Sequence, residues 1–184
     1  MKIAVMSDSH DNIHNLVKAL KICLDKEVDQ ILFLGDLINP GLSDIFADFP
    51  IPIHMIFGNN EGDSKGIMER KFKPGTKFTL ASAKYDLLEY DNKKVFITHF
   101  PRVGMIAAKS GEFNYVFYGH DHTKSSEKIG NTWLINPGEI SAHKSGKCEF
   151  IIWNTKDDSI EDLEVKDAVL VNTEEVKKII KSFK

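Results

Sequence analysis

Two kinds of hydrophobic run alternate along the first part of the chain. "KIAVMSD" (2–8), "QILFLGD" (30–36) and "IPIHMIFGNN" (51–60) are near-continuously apolar and end in glycine, asparagine or aspartate. Runs of that kind predict strands covered on both faces. Between them, residues 12–27 carry Ile13, Leu16, Val17, Leu20 and Leu24 at helical spacing, which predicts an amphipathic helix. "LSDIFADF" (42–49) predicts a short helix and "DSKGIMERKF" (63–72) a short, weak one. The order β-α-β-α-β implies a parallel sheet with right-handed crossovers.

The second part changes character. Residues 84–100 predict two strands around the turn "DNKK", and "VGMIAAKSGEF" (103–113) a helix ending near Gly111. "NYVFYG" (114–119) predicts a buried strand, and 124–138 a hairpin around Gly130 and Asn131. "KCEFIIWNT" (147–155) and "SIEDLEVK" (159–166) predict further strands, and "TEEVKKIIKSF" (173–183) a closing amphipathic helix capped by Thr173.

The chain has 184 residues, enough for one domain with its own core, and a single domain over 1–184 is expected. Its 42% hydrophobic and 28% charged content suits a globular protein. The net charge is −3 and no basic stripe marks a nucleic-acid footprint. Two cysteines, Cys23 and Cys148, are too few for a disulfide framework or a structural zinc cluster. The apolar run Ile3–Met6 is too short for a signal peptide and no segment approaches membrane-span length, so a cytoplasmic location is expected. Association into a homo-oligomer stays open.

Polar residues gather where the strands end. Asp8 and His10 follow the first strand, Asp36 the second, Asn59 and Asn60 the third. His99 follows a later strand, and His120 and His122 flank Asp121 after another. In a parallel sheet such ends share one edge, which is where sites form. Singly, each has an ordinary alternative as a turn, cap or core residue. His14 within a helix, His54 within a strand and His143 in a loop set the background. Together, the carboxylate, amide and imidazole groups form a donor set for Mn, Fe, Ni, Co or Zn, too numerous for one ion.

These motifs resemble the calcineurin-like metallophosphoesterases. "DSH" (8–10), "GD" (35–36), "GNN" (58–60), "TH" (98–99) and "GHDH" (119–122) stand in the family's order, and "INPGE" (135–139) is similar to its small prokaryotic phosphodiesterase branch. The resemblance implies an α/β fold of four layers, α-β-β-α, in which two mixed sheets are flanked by helices. It implies two divalent transition-metal ions, Mn foremost. Asp8, His10 and His122 would hold one ion, Asn59, His99 and His120 the other, and Asp36 would bridge them. Asp36, Asn59 and His99 would act through metal and phosphate, and a hydroxide shared by the ions would hydrolyse a small phosphoester, most naturally a diester. Asp121 has two roles open, orienting an imidazole or forming a turn.

Two departures bear on the substrate. Asn60 stands where many members carry histidine, and Phe100, Pro101 and Arg102 follow His99 where the small branch often has glycine. Asn60 and Arg102 are candidate substrate contacts, with a plain surface role open to Arg102. Among rivals, an HD-type phosphohydrolase is all-helical, whereas these motifs follow strands. A nuclease of the same superfamily would need a basic surface or an added DNA-binding domain. The alternative from another class is a non-catalytic metal-binding scaffold of this fold that binds protein partners. Retention of the whole ligand set favours the enzyme.

Overall fold

In β1 (Lys2–Met6), Ile3 and Val5 face one way and Ala4 and Met6 the other, and all four are fully buried. A strand with both faces apolar must have a layer on each side, and that requirement fixes the architecture. The computed structural model describes residues 1–169. After β1 come α1 (Ile13–Asp25), β2 (Gln30–Phe33), α2 (Pro40–Asp48), β3 (Ile53–Met55), α3 (Ser64–Arg70) and β4 (Phe78–Leu80). Then follow β5 (Tyr85–Tyr90), β6 (Lys93–Thr98), α4 (Pro101–Ser110), β7 (Tyr115–Phe117), β8 (Ser125–Ile129), β9 (Thr132–Asn136), β10 (Glu149–Asn154) and β11 (Ile160–Glu164).

The strands form two mixed sheets. One has the order β11-β10-β1-β2-β3-β4, with β1 to β4 parallel and β10 antiparallel to β1. The other has the order β5-β6-β7-β9-β8, with β6, β7 and β9 parallel and the edges β5 and β8 antiparallel to their neighbours. Helices α1, α2 and α3 cover the outer face of the first sheet through Leu16, Leu20, Phe46 and Ile67. Ile3, Val5, Leu32 and Leu34 on one inner face meet Val95, Ile97, Phe117 and Ile135 on the other, with Trp153 among them. Ala107 and Ala108 of α4 close the far side over Phe96, Val116 and Leu134. The result is the four-layer arrangement of two mixed sheets between helices.

Asn12 caps α1, its side chain accepting from the Asn15 N–H. Two local expectations are met. Asp91 and Asn92, both at positive φ, make the two-residue turn between β5 and β6. Gly111 ends α4 in the left-handed conformation. Two details differ. The third apolar run yields only the three-residue β3, because the chain after Met55 leaves the sheet to carry polar groups. β4 went unforeseen: three residues of alternating burial are too short a period to read. The closing helix expected over 173–183 lies outside the described residues.

Trp153 is fully buried, its ring 4.4 Å from Tyr115 and 5.8 Å from Phe117 by centroids. Trp153→Ala should therefore cost about 3–5 kcal/mol in urea unfolding. Leu87→Ala, on a residue 58% exposed, should cost under about 1 kcal/mol. Equal losses would contradict the inter-sheet core.

Candidate metal centre

The polar strand ends meet at one place, though not on one sheet edge as the sequence suggested. Asp8, His10, Asp36, Asn59 and Asn60 follow β1, β2 and β3, whereas His99, His120 and His122 follow β6 and β7 of the other sheet. The two sheets pack face to face with these ends side by side. His99 Nδ1 bonds the Leu34 carbonyl at 2.8 Å across the junction, and the His120 N–H donates to Asp8 Oδ2 at 3.0 Å.

Two glycines permit this approach. A Cβ on Gly119 would lie 2.0 Å from Ser7 Oγ and 2.9 Å from Asp8 Oδ2. A Cβ on Gly58 would lie 2.1 Å from Asp36 Oδ1. The surrounding backbone is strained. Asp8 (φ 56°), His10 (41°), Asp36 (58°), His120 (75°) and His122 (61°) all adopt the left-handed region. Each such residue costs about 1–3 kcal/mol and persists only where its surroundings fix it.

Glu61 supplies part of that fixation. Its carboxylate accepts the N–H groups of Asp36 (2.7 Å), Leu37 (3.1 Å), Ile38 (3.2 Å) and Gly58 (2.9 Å). It thereby staples the loop after β2 to the loop after β3. The sequence reading assigned no role to Glu61, nor to Glu139, whose carboxylate accepts from His122 Nδ1 at 2.6 Å. Glu139 was legible only as the end of "INPGE", and long-range bonds of this kind leave no local signature.

The side chains form two half-sites sharing Asp36. In one, His10 Nε2 and His122 Nε2 lie 3.6 and 3.5 Å from Asp8 Oδ1 and 3.2 Å from each other. In the other, Asn59 Oδ1 lies 3.0 Å from His99 Nε2 and 2.6 Å from His120 Nδ1. Asp36 reaches both: Oδ2 is 3.5 Å from His10 Nε2, and Oδ1 is 3.4 Å from His99 Nε2. Asp8, Asp36, His99 and His122 are buried, whereas Asn59 is exposed and His10 and His120 are partly so.

The electrostatics suit a cation. Burial alone would raise the Asp36 pKa, but His99 and the Asn60 N–H donors hold it well below the usual carboxylate range. Burial disfavours charge on His99 too, yet Asp36 and Asp8 raise its pKa. Asp8 Oδ1 is buried with no hydrogen-bond donor among the described residues. A carboxylate oxygen so placed, facing two imidazole nitrogens, fits a divalent ion, and oxygen with imidazole nitrogen suits the first-row metals. Asp8, His10 and His122 form one group with metal-binding spacing, and Asp8, Asp36 and His99 another.

The remaining candidates divide. Asn60 turns its amide onto Asp36, donating from N and Nδ2 at 2.8 and 3.0 Å. Phe100 walls the site, its ring 5.4 Å from His99 and 6.0 Å from His120 by centroids. Arg102 is exposed in the first turn of α4. Asp121 is exposed and serves a turn, its N–H bonding the Gly119 carbonyl at 2.9 Å. The carboxylate bonded to a site imidazole is Glu139. Of the background histidines, His14 is exposed on α1 and His54 bonds Thr79 and Asp86. His143 stands nearer than expected, its ring 6.4 Å from that of His10. Burial pushes both cysteine thiols up to about 12, which removes them as nucleophiles.

Residues 1–158 match the calcineurin-like phosphoesterase superfamily domain. Phosphodiesterase MJ0936 of Methanocaldococcus jannaschii is 31% identical over 148 residues, covering 79% of this chain and 88% of the relative. Phosphodiesterase YfcE of Escherichia coli is 24% identical over 152 residues, covering 79% and 83%. Among solved structures, an archaeal phosphodiesterase superposes with a TM-score of 0.82 at 29% identity, covering 90% of this chain and all of that one. Vps29 of Chaetomium thermophilum superposes with a TM-score of 0.66 at 11% identity, over 90% of this chain and 95% of that one, a likeness of fold alone. The shared domain, spanning the β1 site loops through β10, places this chain in the calcineurin-like phosphoesterase superfamily.

Proposed function

We propose that the chain is a metal-dependent phosphodiesterase acting on a small phosphoester, with two divalent ions as its cofactors. The observation that carries this reading is the two-sided reach of Asp36, one oxygen toward His10 and the other toward His99. Asp8, His10 and His122 would hold one ion and Asn59, His99 and His120 the other. Mn is the ion expected first, with Fe, Ni, Co or Zn also matched to the donors. When bound, such a pair supplies Lewis acidity toward phosphoryl oxygens and lowers the pKa of water.

The chain's own groups prepare the site. The Leu34 carbonyl accepts a hydrogen bond from His99 Nδ1 and so turns Nε2 toward Asp36 and Asn59. Phe100 narrows the approach on the His99 and His120 side. Asn60 donates to Asp36 and, as an amide, has no proton to give a leaving group near neutral pH. The rival reading, a scaffold that binds protein partners, does not call for the full set of seven candidate ligands, and the phosphodiesterase relatives favour the enzyme. No described helix is long and apolar enough to cross a membrane, and we propose a cytoplasmic location.

Titration of metal-free protein with Mn should approach two ions per chain, and Asp36→Asn should weaken both binding steps. Saturation at one ion, with Asp36→Asn silent, would overturn the bridging assignment.

His120→Ala and His122→Ala should each lower turnover by at least about 10²-fold with the fold intact, since even indirect partners of metal ligands are worth about 10–100-fold. His14→Ala should be silent, and a loss there comparable to His120→Ala would undo the strand-end argument.

The third test concerns the leaving group. General-acid assistance is worth about 10²–10⁴-fold, and Asn60 does not provide it. Rates over a series of diesters should fall steeply as the leaving-group pKa rises, and Asn60→His should flatten the slope. A shallow native slope would mean that another group donates the proton.

A further inference from the structure

Glu139 is a fully buried carboxylate, and its bonds run to a loop, to a site imidazole and to nothing else among the described residues. Oε2 accepts from His122 Nδ1 (2.6 Å), from the His143 N–H (3.0 Å) and from the Ser141 hydroxyl. Oε1 accepts from the N–H groups of Lys144 (2.9 Å) and Ser145 (2.6 Å) and from Ser145 Oγ (2.8 Å). Ala142 adopts a left-handed φ of 53° so that the chain can wrap round it. The same segment is tied to the first strand's end: the Ile140 N–H bonds the Ser7 carbonyl at 3.0 Å and the Ser141 N–H the Asp8 carbonyl at 2.9 Å. Glu139 thus bonds one ligand of one half-site directly, His122, while its own loop ties to Asp8 through the Ser141 N–H, and it bonds none of Asn59, His99 and His120.

We propose that Glu139 is a positioning residue that locks the His122 ring with its proton on Nδ1 and thereby sets the affinity of the Asp8–His10–His122 half-site for its ion. This rests on the two-metal reading above. A neutral imidazole has one N–H, and an ionised carboxylate only accepts. At 2.6 Å from Glu139 the proton belongs on Nδ1, which leaves the Nε2 lone pair facing Asp8 Oδ1 and His10. In the metal-free protein His10 Nε2 is then the donor of the 3.2 Å contact between the rings. Without the carboxylate, the proton is free to move to Nε2 and donate to Asp8 Oδ1, 3.5 Å away, closing the position a metal would take. Three backbone N–H groups, those of His143, Lys144 and Ser145, donate to the two Glu139 oxygens, so the carboxylate is placed as an acceptor. A carboxylate behind a ligating imidazole also raises its basicity, and losing one typically weakens metal binding about 10–100-fold.

The test has two arms. Histidine-ring ¹⁵N NMR of native, metal-free protein, at a pH where His122 is neutral, should find Nδ1 protonated and Nε2 bare. Calorimetric titration of Glu139→Gln with Mn should then show one binding step weakened about 10–100-fold, the same step that His122→Ala removes, with the other unchanged. A proton on Nε2 in the native ring overturns the proposal, whether or not the Gln variant folds. So does a folded Gln variant that binds both ions as native protein does, or that weakens both steps alike. Native protein that takes up no Mn overturns the two-metal reading instead, and the ring tautomer then decides the positioning role.

Discussion

Two carboxylates, Asp8 and Asp36, are buried where the two sheets meet, and the rest of the structure answers to that constraint. Isolated charges so placed are unfavourable unless paired or metal-bound. Asp36 is partnered by three N–H donors from Asn59 and Asn60 and by the imidazoles of His10 and His99. Asp8 keeps one oxygen on the His120 N–H and leaves the other without a donor among the described residues. The incomplete pairing of Asp8 sets the cluster apart from a fully satisfied buried polar network and leaves an oxygen that could take a cation.

The fold exists at this point to bring two strand-end clusters together. A single parallel sheet would spread five loops along an edge, at about 4.8 Å per strand. Stacking two sheets folds that line over on itself, so that the loops after β6 and β7 sit against those after β1 and β2. Close approach demands glycine at 58 and 119 and left-handed backbone at five of the seven candidate ligands. Glu61 holds the strained backbone at Asp36, and Glu139 gathers the N–H groups of the loop 143–145 beside His122. They are the reverse of Asp8: carboxylates whose acceptor capacity is filled from within the chain.

Much of this was legible in the sequence because burial on both faces and polar strand ends are local properties. The runs ending at Asp8, Asp36, Asn59, His99 and His120 reported the strands, and their polar tails reported the site residues. What the sequence lacked was any record of which strands pair. The seven groups therefore read as lying on one edge, although three come from the second sheet. β4 was too short to show a period. Asp121, adjacent to two candidate ligands, left an orienting role and a turn role equally open, whereas the carboxylate that bonds a site imidazole, Glu139, lies 17 residues away in sequence. His143, a loop histidine to the eye, comes to rest beside His10 for the same reason.

The proposed role of Asp36 is to join two ions into one centre. Electron paramagnetic resonance of Mn-loaded protein tests it directly, because two Mn ions sharing one carboxylate would be magnetically coupled. The account predicts the multiline spectrum of a coupled pair at full loading, lost in Asp36→Asn. The spectrum of isolated Mn at every loading, unchanged by that substitution, would contradict it.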